Sequence, residues 1–284
     1  GQEAAEALQS ARETVAACLG CTPREITFTS GGSEADNQAL VSAARIGERK
    51  GKKHIISTAF EHHAILHTLK KLEKEGFEVE LLPVGPTGTI TAQQVADAIR
   101  PDTCLVTIMY ANNEIGSILP IPEIGAVCHE KGVLFHTDAV QAAGHLHINV
   151  KEQNIDMLSL SGHKFHGPKG VGVLYARRDV PLTALIEGGA QERGRRAGTE
   201  NVPGIIGLGE AVRTYPQGAA EKMMALKTRL LTDLQEAIPT AKRNGPALDD
   251  PLCAPHILSV SMSPVRSQTM LFALEGDGIY VSAG

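Results

Sequence analysis

Short apolar runs alternate with longer amphipathic segments over most of the chain. The runs have the length of β-strands, and apolar residues recur at helical spacing between them. The predicted strands are residues 25–29, 54–58, 78–84, 104–110, 132–136, 156–161 and 170–178, and the predicted helices are residues 2–19, 34–50, 62–75, 91–99 and 121–131. Because the runs are too apolar to keep one face in water, they indicate an α/β fold: a mainly parallel sheet with helices on both faces.

The pattern changes at residues 214–220, with the sequence TYPQGAA. A predicted helix over residues 220–238 follows, and then two candidate strands over residues 256–262 and 278–283. We therefore predict a large domain over residues 1–213 and the beginning of a smaller α+β domain over residues 214–284. No capping residue precedes the first helix and the last strand pattern stops at the end of the chain, so we expect both domains to be incomplete.

Composition argues against several partners and locations. The net charge of −5 gives no basic surface for nucleic acid, and no apolar stretch approaches the ~20 residues of a membrane span. The five cysteines form an odd, scattered set, which suits a reducing compartment, and we expect a cytoplasmic protein. Cys18 and Cys21 form a C-x-x-C pair, but no second pair completes a zinc site, so no metal is expected.

Polar residues follow the predicted strands, at the edge where an open α/β sheet binds its ligands. After residues 25–29, the sequence TSGGSEADN places two glycines and Ser33 at a helix start, where backbone amides and a hydroxyl can hold a phosphate. The alternative is that Ser33 only caps the helix, while Glu34 and Asp36 complement its dipole. Later strands are followed by His62 or His63, by Asn112 or Asn113, and by Asp138 with Gln141. Any one of these could instead be a turn or a helix cap.

A lysine follows the next strand in the sequence SGHKFHGPKGVG. Lys164 lies between two histidines, and partial burial with nearby positive charge helps an amine to lose its proton. Lys164 is therefore a candidate Schiff-base former, whereas the alternative, Lys169, is assigned to the turn before the following strand. A phosphate site, a carboxylate, an imidazole and a reactive lysine on one sheet edge match the needs of pyridoxal 5′-phosphate (PLP).

Six segments resemble the cysteine desulfurases, which are class-V aminotransferase-type enzymes of PLP fold type I, and in particular the nitrogen-fixation type. The segments are TSGGSEADN, EHHA, ANNEIG, HTDAVQAAG, SLSGHKFHGPKGVGVLY and GGAQERGRRAGTEN, and the resemblance runs in consistent order from residue 1 to residue 284. It implies conversion of L-cysteine to L-alanine, with the sulfur left on an enzyme cysteine as a persulfide. The resemblance further implies a homodimer and transfer of the sulfur to a scaffold protein for iron–sulfur cluster assembly.

The resemblance also assigns roles to individual residues. It implies that Lys164 forms the internal aldimine and removes the substrate's α-proton, that Asp138 pairs with the pyridine nitrogen, and that His62 stacks on the ring and transfers protons. Gln141 would contact the phenolic oxygen, and Asn113 the substrate and cofactor. The implied phosphate ligands are Gly32, Ser33, Ser161 and His163, with Thr199 reaching the phosphate of the partner subunit. The nearby Arg193, Arg195 and Arg196 are expected to be structural or substrate-adjacent.

The chain departs from the family pattern at both ends. The family's nucleophilic cysteine follows a motif similar to the terminal VSAG, and none of the five cysteines occupies that position. The family's substrate-carboxylate arginine would also lie downstream, and part of its N-terminal segment is missing. Two alternatives therefore stay open: a selenocysteine lyase or another class-V aminotransferase-like enzyme, and a non-catalytic PLP-binding fragment.

Overall fold

A computed structural model describes residues 1–283 and is built around a seven-stranded sheet. The helices are α1 (Gln2–Leu19), α2 (Gly32–Arg49), α3 (His63–Lys74), α4 (Ala92–Ala98), α5 (Ile121–Glu130), α6 (Val202–Thr214), α7 (Ala219–Ala237) and α8 (Ser267–Gly276). The strands are β1 (Ile26–Thr29), β2 (His54–Thr58), β3 (Glu78–Leu82), β4 (Thr103–Thr107), β5 (Leu134–Asp138), β6 (Met157–Ser161), β7 (Gly172–Ala176), β8 (Ala241–Asn244) and β9 (Ser259–Met262).

The strand order of the large sheet is β1-β7-β6-β5-β4-β2-β3. Strands β2 to β6 pair in parallel with their neighbours, whereas β7 pairs antiparallel with both β6 and β1. The connection between β6 and β7 contains only a short 3₁₀ turn, Gly162–Phe165, and no crossover helix, so these two strands cannot run parallel. The mainly parallel sheet is confirmed, and every strand except β7 ends at the same edge.

Helices cover both faces of this sheet, as predicted. Successive strand residues point to opposite faces, so that Ile55 packs with one apolar cluster and Ile56 with the other. Helices α2 and α3 supply the first cluster, and α1, α5 and α6 supply the second. Both strand residues are fully buried, which explains why the strands are apolar without alternation. Within residues 1–283, no helix is both long and apolar enough to cross a membrane.

Helix α6 lies against α1 and was not predicted from the sequence. Its sequence VPGIIGLGEAVRT contains three glycines, which weaken helix propensity. The glycines permit close packing instead: a Cβ atom at Gly209 would lie 2.9 Å from the Cβ of Ala11 on α1. Tertiary packing therefore stabilises a helix that its local sequence does not indicate.

The C-terminal segment contains α7, α8 and the antiparallel pair β8–β9. Helix α7 and the strand at residues 259–262 agree with the predicted helix and the first candidate strand. The second candidate strand, residues 278–283, is wrong: these residues form no strand in the described chain, and α8 precedes them. Ile279 and Tyr280 are exposed and have no neighbouring strand to pair with, although their sequence alone favours β structure. The division into two domains at residue 214 stays a prediction.

Candidate active site

A cavity of about 230 Å³ opens at the edge where the parallel strands end. Nine of the ten predicted site residues line it: Gly32, Ser33, His62, Asn113, Asp138, Gln141, Ser161, His163 and Lys164. They follow five different strands, β1, β2, β4, β5 and β6, so only the parallel packing of those strands brings them together.

One end of the cavity is formed by the first turn of α2. Gly31 is the N-cap residue of this helix and the described chain supplies no side-chain cap, so the interpretation of Ser33 as the helix cap is wrong. A Cβ atom at Gly32 would lie 2.6 Å from Cγ2 of Val140, and only glycine allows this close approach. Beside it, the Ser161 hydroxyl and Nδ1 of His163 are hydrogen bonded at 2.9 Å. Unpaired helix amides next to hydroxyl and imidazole groups suit a phosphate.

Asp138 ends β5 and also lines the cavity. Its side chain is 6% exposed, and its Oδ1 accepts a hydrogen bond from the backbone N–H of Val140 at 2.9 Å. Burial raises the pKa of Asp138, while the Val140 amide, His62, a hydrogen bond with Asp36 and Lys164 oppose that rise. A carboxylate supported in this way can pair with a protonated ring nitrogen.

A second carboxyl group, that of Asp36, lines the same cavity and was not predicted as a site residue. Asp36 lies in the second turn of α2 and is 1% exposed, so it does not complement the helix dipole at the surface as the sequence suggested. Its spacing from Gly32 was the available signal: residues four apart on a helix lie on one face. Gly32 and Asp36 therefore lie on the same face of α2, and both line the cavity.

His62 is the N-cap of α3 and lines the cavity, whereas His63 contacts His67 on the exposed side of the helix. Nδ1 of His62 accepts a hydrogen bond from the backbone N–H of Ala64 at 3.1 Å. In the neutral imidazole, the proton therefore resides on Nε2. The ring is thus held in one tautomer by its own helix.

Glu61, the residue before His62, is buried and forms hydrogen bonds at the ends of β2 and β4. Its Oε1 accepts hydrogen bonds from the Thr58 hydroxyl at 2.7 Å and from the backbone N–H of Met109 at 3.0 Å. Burial raises the pKa of Glu61 to about 8. Glu61 joins β2 to the segment after β4 and is a further buried acid near the site that the sequence did not indicate.

Of the two adjacent asparagines, Asn113 lines the cavity and Asn112 is structural. The side-chain oxygen of Asn112 accepts hydrogen bonds from the backbone N–H groups of Glu114 and Ile115, both at 2.9 Å, and so builds the turn. Gln141 lines the cavity, and its Oε1 lies 3.4 Å from Nε2 of His256, a contact that the sequence did not predict.

Lys164 lies in the 3₁₀ turn after β6, and its side chain reaches the cavity while keeping contact with solvent. Its backbone carbonyl lies 3.2 Å from Nε2 of His145. Burial and the positive charges of Lys164 and Lys169 lower the pKa of the adjacent His163. Lys169 is exposed in the turn before β7 and does not line the cavity, so the structure places Lys164 and not its alternative beside Asp138.

Thr199 is exposed and is the one predicted site residue that does not line this cavity. The loop that carries it is tied to the large sheet by Glu192, which pairs with Arg12 at 2.6 Å. Arg196 pairs with Glu34 in the first turn of α2, at 2.9 Å, and Arg195 donates to the carbonyl of Arg24 at 2.8 Å. These arginine contacts agree with the expected structural role.

The residues of the cavity fit PLP in both shape and chemistry. Gly32 lies in the first turn of α2 and lines the cavity, so backbone amides at this helix start can bind an anionic group. The Lys164 amine can bind an aldehyde, and the buried Asp138 can accept a hydrogen bond from a protonated pyridine. Asp36, Asp138 and His62 could also offer ligand atoms to a metal, since these atoms lie within 4.8 Å of one another.

Comparison with known proteins agrees with this chemistry. The family model for class-V aminotransferases matches residues 1–284. The cysteine desulfurase IscS of Clostridium botulinum is 49% identical over 282 residues, covering 98% of this chain and 70% of that protein. The IscS of Methanosarcina thermophila is 47% identical over 287 residues, covering 100% of this chain and 70% of that protein.

Solved structures give the same result. A NifS-like protein superposes with a TM-score of 0.94 at 41% sequence identity, covering 99% of this chain and 77% of that one. The structure described as SspA in complex with cysteine has a TM-score of 0.86 at 38% identity, covering 99% of this chain and 78% of that one. The chain therefore belongs to the class-V aminotransferase family, the PLP-dependent class that the fold and the cavity define. Within that family it groups with the cysteine desulfurases of the IscS and NifS type.

Proposed function

We propose that this chain holds PLP in the cavity at the sheet edge and uses it to convert L-cysteine to L-alanine. A thiolate acceptor takes the substrate's sulfur as a persulfide while the C–S bond breaks, and the carbon then takes up a proton. The observation that carries the proposal is the convergence of Lys164, Asp138, His62 and the first turn of α2 on one cavity. The relatives named cysteine desulfurase, at 49% and 47% identity, support the choice of substrate.

The phosphate group would bind at the start of α2. The backbone amides near Gly32 and the hydroxyl of Ser33 supply donors, and the positive end of the helix dipole favours an anion there. Ser161 and His163, already hydrogen bonded to each other, supply two more groups. This arrangement fixes one end of the cofactor by several weak contacts rather than by a single ion pair.

Lys164 is the amine that would bind the aldehyde, and Asp138 would hold the proton of the ring nitrogen. When bound, PLP supplies an electron-withdrawing ring that makes the α-proton of an amino acid acidic. Lys164 would then act as the base that takes the proton from the substrate's α-carbon. Because the Val140 amide stabilises the charged form of Asp138, the carboxylate keeps the ring nitrogen protonated during this step.

His62 and Gln141 would orient the ring. The Ala64 amide holds Nδ1 of His62, so Nε2 would be the nitrogen free to exchange a proton with the substrate, and the imidazole would lie against the cofactor ring. Gln141 would donate from its side-chain amide to the phenolic oxygen, and Asn113 would contact cofactor and substrate. None of the five cysteines in the described chain lines the cavity, and the proposal assigns none of them to receive the sulfur.

The proposal includes a homodimer in which Thr199 of one subunit reaches the phosphate site of the other. Its support is the exposure of Thr199 outside its own cavity, together with the anchoring of its loop by Glu192. Cysteine desulfurases typically dimerise, and the relatives named IscS support a role in iron–sulfur cluster assembly. A scaffold protein as the sulfur acceptor is a further part of the proposal. A cytoplasmic location is part of the same proposal.

Borohydride reduction of the PLP-loaded protein, followed by peptide mapping, tests the central assignment. A pyridoxyl adduct on Lys164 is expected, and Lys164→Ala should abolish the adduct, while Lys169→Ala should leave it unchanged. An adduct on Lys169, or on no lysine, would overturn the assignment. Assays of L-cysteine, L-selenocysteine and ordinary amino donors side by side then test the substrate, and preference for either of the latter two would contradict desulfuration as the main activity.

A further inference from the structure

Asp36 is a buried acid next to the proposed cofactor site to which no role has been assigned so far. It lines the cavity from helix α2, it is 1% exposed, and its Oδ1 has no hydrogen-bond partner within residues 1–283. A buried, unpaired carboxylate oxygen is costly to keep charged, so the position requires an explanation.

The neighbour that most affects the charge state of Asp36 is the carboxyl group of Asp138. Side-chain oxygens of the two residues lie within 4.8 Å of each other and of a ring nitrogen of His62. Two ionised carboxylates so close together in the protein interior repel each other strongly. A single proton shared by the pair replaces this repulsion with a hydrogen bond, as in other carboxyl pairs.

The two residues differ in what stabilises a negative charge. Asp138 accepts a hydrogen bond from the Val140 amide at 2.9 Å, and the nearby His62 and Lys164 side chains favour its charged form. Around Asp36, the Ser159 hydroxyl is the group that favours the charged form, and Asp138 and Glu61 disfavour it. The charge of the pair therefore belongs on Asp138 and the proton on Asp36.

His136 does not neutralise Asp36 by forming an ion pair. Its Nε2 is 3.7 Å from Oδ1 of Asp36, which is too long for a hydrogen bond. Its ring nitrogens contact the Thr107 and Ser159 hydroxyls at 2.8 and 3.0 Å, and burial lowers the pKa of His136 to about 3. This imidazole is neutral at physiological pH and offers Asp36 no counter-charge.

Burial and the Asp138 carboxylate raise the pKa of Asp36 well above its ordinary value, which agrees with the geometry. We propose that Asp36 is a positioning residue that stays protonated at neutral pH and donates a hydrogen bond to Asp138. The single negative charge of the pair is then held on Asp138, the partner of the pyridine nitrogen in the function proposed above, on which this inference rests. Asp36 touches neither the reacting atoms nor the substrate and acts through Asp138.

Two substitutions that keep the branching at Cγ separate this role from that of a charged residue. Asp36→Asn keeps a neutral donor, so PLP should bind the protein within about twofold of the wild-type affinity. Asp36→Leu removes the donor, and PLP affinity should fall about tenfold, the typical value of one net hydrogen bond. The measurement is a fluorescence titration of the cofactor-free full chain with PLP at pH 7.

Infrared difference spectra report the protonation state of Asp36 directly, and this measurement needs no cofactor. The wild-type chain at pH 7 should show the C=O band of a protonated carboxylic acid, and Asp36→Asn should remove it. Glu61, whose pKa burial raises to about 8, should contribute a separate band that Glu61→Gln removes. This control distinguishes the two buried acids.

The outcomes separate this inference from the function on which it rests. If wild-type protein fails to bind PLP, the proposed function fails, whereas the carboxylic acid band still reports the proton on Asp36. An unchanged band in Asp36→Asn would overturn the inference. So would an equal loss of PLP affinity in the Asn and Leu variants while wild-type protein binds PLP normally.

Discussion

The imidazole rings of His145 and His256 stack face to face, with ring centroids 3.8 Å apart and planes inclined by 13°. His145 pairs through Nδ1 with the Tyr215 hydroxyl at 2.7 Å, and His256 contacts Oε1 of the cavity residue Gln141. The stack therefore connects the C-terminal segment to the candidate site. Two protonated imidazoles in this arrangement would repel each other, so it requires at least one neutral ring.

This stack predicts a loss of stability in acid. Burial, together with the charges of His145, Lys227 and Lys164, lowers the pKa of His256 from 6.5 to about 3. Between these values the unfolded chain binds a proton that the folded chain does not, so stability is complete above about pH 6.5 and falls as the pH drops towards 3. The contribution of one such group is at most ~1.4 kcal/mol per pH unit.

His256→Asn should reduce the pH dependence of the free energy of unfolding in that range, measured by urea denaturation at a series of pH values. His67→Asn, at an exposed position on α3, is the matched control and should keep the wild-type slope. An identical slope in the wild-type protein and the His256 variant would contradict the assignment of a neutral His256.

The ion pair between Arg12 and Glu192 predicts a large effect on stability. Both guanidinium Nη atoms bind the carboxylate, at 2.8 and 2.6 Å, and the same carboxylate accepts a hydrogen bond from the backbone N–H of Phe28. Glu192→Gln leaves the Arg12 charge buried without its partner, and the free energy of unfolding should fall by about 3–5 kcal/mol. Chemical denaturation measures this change.

Two further variants test whether the loss of stability comes from the unpaired buried charge of Arg12. The double variant Arg12→Met, Glu192→Leu removes both charges and should be more stable than Glu192→Gln alone. Glu210→Gln breaks the exposed pair with Arg213 and should change stability little, because solvent screens that pair. If Glu192→Gln changed stability as little as Glu210→Gln, the buried pair would not anchor the loop that carries Thr199.

Gly172 controls the position of the helix start at the phosphate site. A Cβ atom there would lie 2.6 Å from the carbonyl carbon of Gly31 and 2.7 Å from the carbonyl oxygen of Leu160. Both are backbone atoms, so Gly172→Ala must displace the N-cap of α2, at a cost of about 1–3 kcal/mol. We expect weaker PLP binding in a fluorescence titration. Gly276→Ala, which meets no atom within 4 Å, should bind PLP like the wild-type chain.

The five free cysteines should differ widely in reactivity. Cys18 is exposed, whereas Cys104, Cys128 and Cys253 are buried, and burial raises the pKa of Cys104 to about 11. Because the thiolate is the reactive form, maleimide at pH 7 should label Cys18 first and the three buried thiols only after unfolding. Mass spectrometry of tryptic peptides gives the order, and Cys18→Ser should remove the fast phase. Labelling of Cys253 in the folded protein would show that its contact with Lys227 opens.

Much of the site could be predicted because its residues directly follow apolar strands. His62, Asp138 and Lys164 come within a few positions of a strand end, and parallel packing places such positions at one edge. Asp36 was missed as a site residue because its surroundings come from β5 and β6, which are far away in sequence. The same reason applies to His256, whose contact with Gln141 depends on how the C-terminal segment packs.

The fold was predictable where local pattern and packing agree. Helix α1 has the predicted bounds, since its apolar face is regular and Gly20 follows it in a left-handed conformation. Helix α6 has two start signals, Asn201 as N-cap and Pro203 in its first turn, but its glycines weaken the helical pattern, and packing against α1 stabilises it. The strand expected over residues 278–283 shows the opposite case, because their β propensity alone does not produce a strand in the described chain.

The pairing of β1 with β7 determines when the phosphate site can form during folding. β1 is an edge strand whose one sheet neighbour is β7, with Thr29 opposite Gly172, so the two strands meet only after a long stretch of intervening chain has been synthesised. Closing so long a loop is entropically costly and slows the search for native contacts. The turn at Gly31 and Gly32 therefore depends on a long-range strand pairing, and we expect it to reach its final position late in folding.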